Sequence, residues 1–115
     1  MRPMRRLAIA SAAAGLCATA ACAAALRHAS PQDVVLVAPQ WPGTILPDLQ
    51  RGRSLYVRRC SGCHTLILPG AHPPEEWPGL VDGMAGKARL GPGERDDVVR
   101  FLVAVASDDA GGAGR

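Results

Sequence analysis

The sequence predicts an all-α domain of about three helices. Three segments carry the signs of helices, namely residues 48–59, 74–88 and 94–107. In the second and third segments the apolar residues recur at three- and four-residue spacing, which places them on one face of a helix. A turn rich in glycine and proline at 91–93 separates these two segments. The chain of 115 residues is long enough for one small domain.

Each predicted helix has a start signal or an apolar stripe. The first follows Pro47, with Asp48 as the expected N-cap, and turns Leu55 and Tyr56 inward. The second begins at Pro74 or Glu75 and has an apolar face of Trp77, Leu80, Val81 and Met84. The third has an apolar stripe of Val98, Phe101, Leu102 and Val105. These stripes predict that the helices pack around a shared core.

Residues 1–26 have the features of an export signal or an N-terminal membrane anchor. Three early arginines precede an uncharged, alanine-rich run, and small residues offer cleavage sites such as 18–20 and 23–25. The run is also long enough to span a bilayer uncleaved. A third possibility is a lipid on Cys22, because 19–21 loosely resembles a bacterial lipobox. All three outcomes place the domain outside the cytoplasm, in the periplasm of a bacterium.

The segments on either side of the domain are predicted to lack regular helices. Residues 27–47 contain several prolines, and we interpret them as an extended arm or linker in which Val34–Val37 could form a strand. Residues 108–115 are rich in glycine and alanine and are expected to be disordered. The domain itself is therefore assigned to 48–107.

The charge of the precursor is not evidence for nucleic-acid binding. The chain has 13 basic and 10 acidic residues, and removal of Arg2, Arg5 and Arg6 with the leader leaves 10 of each sign. The mature polypeptide is thus close to neutral, and we expect no nucleic-acid partner.

The pentapeptide 60–64, Cys60-Ser61-Gly62-Cys63-His64, carries the chemistry of the chain. It has the form C-x-x-C-H, which is the attachment site of a c-type haem. Two thiols at this spacing reach the two vinyl groups of a porphyrin, and the histidine that follows can ligate the iron. Aromatic residues make up only 3% of the chain, which is poor material for a core. A covalently held porphyrin would supply the missing apolar surface.

Two other interpretations of the cysteine pair are weaker. A structural zinc site needs further cysteine or histidine ligands, and the only other cysteines, Cys17 and Cys22, lie in the leader. A thioredoxin-like redox pair belongs next to a strand–helix–strand pattern, which this sequence lacks. A haem-free thiol protein is thus the less favoured alternative.

The pattern Gly52-x-x-Leu55-Tyr56-x-x-x-Cys60-x-x-Cys63-His64 resembles the first helix and haem motif of class I cytochromes c. A second stretch, from Trp77 through Val81 and Met84 to Leu90, is similar to small bacterial monohaem cytochromes c. The resemblance implies that Gly52 lets the first helix cross the last one closely. It also implies a proline carbonyl, for which Pro69 is the candidate, that orients the ligand histidine.

The ligand on the far side of the iron is less well determined than His64. Met84 is the first candidate on resemblance, although it lies closer to His64 than is usual in the family. A core-filling role for Met84, and ligation by His72 or His28, are the alternatives. An open, five-coordinate haem would suit a sensor that binds a small gas or a subunit that feeds a catalytic partner.

These observations predict a non-enzymatic, one-electron carrier with a single covalent haem c. Cys60 and Cys63 would attach the haem, while His64 and Met84 would ligate its iron. Its partners would be an electron donor and an electron acceptor. A basic cluster of Arg51, Arg53, Arg58 and Arg59 offers either a docking surface for an acidic partner or an ordinary solvated helix face.

Overall fold

The regular secondary structure of the described residues is entirely helical. The computed structural model describes residues 26–61 and 65–113, and within these ranges there are four α-helices and no strand. The helices are α1 (Pro31–Val37), α2 (Leu46–Cys60), α3 (Trp77–Ala85) and α4 (Pro92–Ala113), with short 3-10 helices at Pro69–Ala71 and Pro74–Glu76. The predicted all-α class is confirmed. The leader up to residue 25 and residues 62–64 of the haem motif lie outside the described residues.

Helix α4 is the centre of the domain, and the three other helices pack against it. Its stripe of Val98, Phe101, Leu102 and Val105 is at most 1% exposed, as the sequence predicts. Val99, Val103 and Ala104, which lie between these positions, are buried too, because α4 has neighbours on several sides. The buried aromatic residues Tyr56 and Trp77 meet edge to face, with ring centroids 6.3 Å apart.

Helices α2 and α4 cross at Gly52, where the two backbones almost touch. A Cβ atom added to Gly52 would lie 2.7 Å from the carbonyl carbon of Asp97 and 2.9 Å from Cβ of Phe101. Both distances are well below ordinary contact, and the Asp97 backbone has no flexible end that could move aside. Only glycine allows this crossing, so its unfavourable helix propensity has a packing reason.

The expectation of an extended arm at 27–47 is wrong for 31–37, where α1 replaces the strand that Val34–Val37 suggested. The carboxylate of Asp33 accepts hydrogen bonds from the Ser30 backbone N–H (2.7 Å) and hydroxyl (3.0 Å). Pro31 occupies the first turn, where the missing N–H is not needed. These helix-start signals outweigh the β-branched run that follows them.

The start of α2 also differs from the prediction. Helix α2 begins at Leu46, and Asp48 lies in the first turn instead of at the N-cap. Its carboxylate accepts a hydrogen bond of 3.0 Å from the backbone N–H of Ile45. Asp48 therefore still satisfies an N-terminal donor of the helix, but from the third helical position.

Helix α4 is longer than the predicted range of 94–107. It runs from Pro92 to Ala113, so the prediction of a disordered tail is wrong for 108–113. Asp108 accepts a hydrogen bond of 2.9 Å from Arg27, whose guanidinium also makes two bonds of 2.8 Å to Asp33. This three-residue contact, which we call the Arg27 clasp, joins the end of α4 to the start of α1.

The chain is already attached to the domain at Leu26, the first described residue. The Leu26 side chain is 1% exposed, and its carbonyl accepts a hydrogen bond of 2.6 Å from Arg53 of α2. No helix within the described ranges is both long and apolar enough to cross a membrane.

Candidate functional site

Cys60 is the last residue of α2, and it is only 5% exposed. Helix α2 therefore places the first cysteine of the motif at the edge of the core. Tyr56, one turn earlier on the same helix, is fully buried. Burial raises the pKa of Tyr56 to about 12, and the nearby Cys60 thiol adds to the increase.

The chain is held on both sides of the haem motif. The Tyr56 hydroxyl donates a hydrogen bond of 2.6 Å to the carbonyl of Ile67, which ties the loop after the motif to the helix before it. Ser61 donates from its hydroxyl to the carbonyl of Val57, 2.5 Å away, and prolongs the helical turn. Gly62, Cys63 and His64 lie outside the described residues. The hydrogen bond from Tyr56 to Ile67 joins residues that come before and after these three in the chain.

Met84 lies near the C-terminal end of α3 and is half-buried. It shares the helix face of Trp77 and Val81, which are 0% and 1% exposed. Among the described residues, however, Met84 is not one of the half-buried apolar side chains that pack against the core. The alternative of a core-filling methionine therefore has little support.

His72, the second candidate ligand, contacts residues at the N-terminal end of α3, the end opposite to Met84. Its Nδ1 lies 3.0 Å from a carboxylate oxygen of Glu76, and its ring meets Trp77 edge to face at 5.3 Å. Trp77 and Met84 are separated by two helical turns, roughly 10 Å along the axis. His28, the third candidate, is exposed. The structure thus places His72 and Met84 near opposite ends of α3.

The carbonyl of Pro69 accepts a hydrogen bond of 2.9 Å from the indole N–H of Trp77, and both residues are buried. This bond satisfies the one polar atom of the Trp77 side chain. A carbonyl oxygen can accept two hydrogen bonds. The expected contact of Pro69 with His64 stays a prediction, because His64 lies outside the described residues.

Three of the four arginines in the predicted basic cluster are bound within the domain. Arg51 pairs with Asp97 (2.6 Å) and Asp48 (2.9 Å). Arg53 donates to the carbonyls of Leu26 and Arg27. A docking surface made of all four residues has little support, because the guanidinium groups of three of them already bind groups of the domain.

Arg59 is the residue immediately before the first cysteine of the motif. Its guanidinium donates to the carbonyls of Arg89 (2.9 Å) and Ala88 (3.3 Å) in the turn after α3. Arg58, its neighbour, is exposed. Sequence reasoning missed the contacts of Arg53 and Arg59, since no local pattern signals an arginine that caps distant carbonyls.

The described residues hold no group of three or more histidine, cysteine or carboxylate side chains that would suit a metal ion. Comparison of the chain with protein-family models, with curated proteins and with solved structures finds no match in any of the three. The function is therefore argued from the residues alone.

Proposed function

We propose that this chain is an exported c-type cytochrome, similar to the class I family, that carries single electrons in the periplasm and performs no bond chemistry. The observation that carries the proposal is the placement of Cys60. The first thiol of a C-x-x-C-H motif ends a helix at the edge of an apolar core and is almost fully buried. An unreactive structural cysteine would not require a second thiol and a histidine at this spacing.

The apolar surface around the motif supports the fit of a porphyrin. Val57 precedes the motif, Leu66 and Ile67 follow it, and all three are half-buried against a core cluster that includes Cys60. Leu80 and Leu90, on either side of Met84 in sequence, are half-buried against the same cluster. This set of partly covered side chains could bury a further apolar group, and burial of such a surface is strongly favourable.

The thioethers would be formed by Cys60 and Cys63, and the iron would be held by His64 and Met84. A haem at this site supplies an Fe(III)/Fe(II) couple, whose potential a thioether ligand raises. The chain's own part would be to attach the ring through Cys60 and Cys63, to cover it with apolar side chains and to hold His64 and Met84 in place. The partners would be an electron donor and an electron acceptor.

The test of attachment is the mass of the exported protein. We expect the product of a host competent in cytochrome maturation to weigh as the polypeptide plus one haem under denaturing conditions. Cys60→Ala together with Cys63→Ala should remove the bound haem. Cys22→Ser is the control, since this cysteine lies in the leader and its loss should leave the haem in place. A wild-type mass without haem would refute the proposal.

The test of Met84 is the absorption spectrum of the holoprotein. Met84→Ala should abolish the ferric band of sulfur ligation and let the reduced protein bind carbon monoxide. His72→Ala, the matched control on the rival ligand, should leave both properties unchanged. If the wild-type protein already binds carbon monoxide readily, the iron is five-coordinate, and the sensor or catalytic-subunit alternative replaces the electron carrier.

A further inference from the structure

Arg59 joins the haem motif to the segment that contains Met84. It is the last residue before Cys60, and its side chain is 37% exposed. Two of its hydrogen bonds go to the carbonyls of Ala88 and Arg89, about thirty positions further along the chain. An arginine suits this task because its planar guanidinium presents several donors in a fixed geometry.

The turn that accepts these bonds ends α3. The N–H of Leu90 donates to the carbonyl of Ala85 (3.0 Å), and Arg89 has a φ of 55°. A residue other than glycine in this left-handed region is uncommon and unfavourable. The carbonyls that Arg59 binds belong to Arg89 and the residue before it, so Arg59 stabilises the turn at its least favourable point.

Met84 is connected to Arg59 through only one residue. The carbonyl of Met84 accepts a hydrogen bond of 2.9 Å from the N–H of Ala88, and the carbonyl of Ala88 accepts from Arg59. Two successive hydrogen bonds therefore link the backbone of Met84 to the residue that precedes Cys60.

Glu94 keeps the guanidinium in place. One of its carboxylate oxygens lies 3.4 Å from Nη2 of Arg59, and the other accepts a hydrogen bond of 3.1 Å from the N–H of Gly91. The start of α4 thus takes part in the same contact. We call Arg59, Glu94 and the turn 86–91 the Arg59 clamp.

We propose that Arg59 is a positioning residue: the clamp holds the Met84 segment against the haem-attachment turn and so keeps the sulfur of Met84 on the iron. This inference rests on the proposed function, including Met84 as ligand. Arg59 does not touch the iron. Its effect is to reduce the freedom of α3 to move away from the turn that contains Cys60, and hence to disfavour exchange of Met84 for an external ligand.

The experiment compares Arg59→Gln with Arg58→Gln in the exported holoprotein. Both variants remove one positive charge next to Cys60, but only Arg59 contacts the turn. The probe is imidazole, whose affinity for the ferric protein is measured by optical titration. We expect Arg59→Gln to increase the affinity about tenfold, which corresponds to about 1.4 kcal/mol. Arg58→Gln should stay within twofold of wild type, and Arg59→Lys, which keeps the charge with a different geometry, should fall between them.

Amide hydrogen exchange in the same variants reports on the clamp without using the iron. Arg59→Gln should accelerate exchange at Ala88 and Leu90, whereas Arg58→Gln should not. Faster exchange with unchanged imidazole affinity would overturn the proposal, because the clamp would then not act on the ligand. Equal imidazole affinities in the two variants would overturn it as well. A protein that carries no covalent haem would instead refute the proposed function itself, and this outcome is visible from its mass.

Discussion

Helix α2 contacts the domain through two sets of residues that work in different ways. The first, the crossing face, contains Gly52, Leu55 and Tyr56 and lies against α4, with residues that are at most 4% exposed or lack a side chain. The second consists of Arg53 and Arg59, which are half-exposed and donate hydrogen bonds to the carbonyls of distant residues. Close packing against α4 thus sets the orientation of α2, and hydrogen bonds from its arginines hold the surrounding loops.

The two sets of residues should respond differently to substitution. Close packing of backbone against backbone cannot relax, so a single added methyl group should have a large effect on the crossing face. A hydrogen bond that is partly open to water contributes modestly, and its loss should loosen one segment without unfolding the domain. The following predictions compare the close packing at Gly52 with polar contacts of the domain, beginning with the largest effect.

Gly52→Ala should lower the free energy of unfolding by about 3 kcal/mol, at the upper end of the range for overpacked sites. The new Cβ would overlap the carbonyl of Asp97, which belongs to the backbone of α4. Urea unfolding of the purified protein measures the effect. The control is Gly83→Ala in α3, where no atom lies within 4 Å of the added Cβ. That substitution should stabilise the protein slightly through better helix propensity, and equal effects at both glycines would contradict the close crossing.

Asp33→Asn should lower the free energy of unfolding by about 2 kcal/mol at neutral pH, because it breaks a largely buried ion pair of the Arg27 clasp. The Asp33 carboxylate is fully buried, whereas Arg27 is about one-third exposed, at 34%. A matched surface control is Asp96→Asn, which removes an exposed pairing with Arg95 and should change stability by less than about 0.5 kcal/mol.

The pH dependence of the stability difference between wild type and Asp33→Asn gives a second test. Burial alone raises the pKa of Asp33, but hydrogen bonds from Arg27 and Ser30 outweigh it and leave the pKa below its ordinary value. A lowered pKa means that the stabilisation is present above the unfolded value of about 3.9 and is lost as the pH falls through the folded value. The difference between wild type and Asp33→Asn should therefore shrink in acid, and a constant difference would argue against the clasp.

Tyr56→Phe should have the smallest effect, about 1.5 kcal/mol, since it removes one buried hydrogen bond to the carbonyl of Ile67 and little volume. The pKa of Tyr56 is about 10 in an unfolded chain and is raised to about 12 in the folded one. Its stabilising contribution is thus complete below pH 10 and disappears as the pH rises through 12. Unfolding curves at pH 9 and pH 11 should show the two proteins converging, and parallel curves would contradict this assignment.

Much of the crossing face could be predicted from the sequence. Gly52 and Tyr56 stand at the spacing from Cys60 that class I cytochromes c show, and the stripe of α4 follows ordinary helical periodicity. These features depend on local spacing, which a sequence displays directly. The all-α class and the buried positions on α4 follow from it.

The contacts of the α2 arginines and the structure of the chain ends could not be predicted in the same way. The pairing of Arg27 with Asp108 joins residues 81 positions apart, and Asp108 belongs to a glycine-rich segment that forms the last turns of α4. The contacts of Arg59 are equally non-local. Helix α1 is different, because Ser30, Pro31 and Asp33 form a recognisable helix start that the β-branched run after it obscured.

The early burial of Leu26 has a consequence for how far the protein could operate from a membrane. Four residue steps separate Cys22 from Leu26, which corresponds to a fully extended span of about 14 Å. A lipid attached at Cys22 would consequently leave the helical domain almost no tether. The redox partners of the proposed cytochrome would then have to meet it at the bilayer surface, because the domain could not reach across the periplasmic space to them.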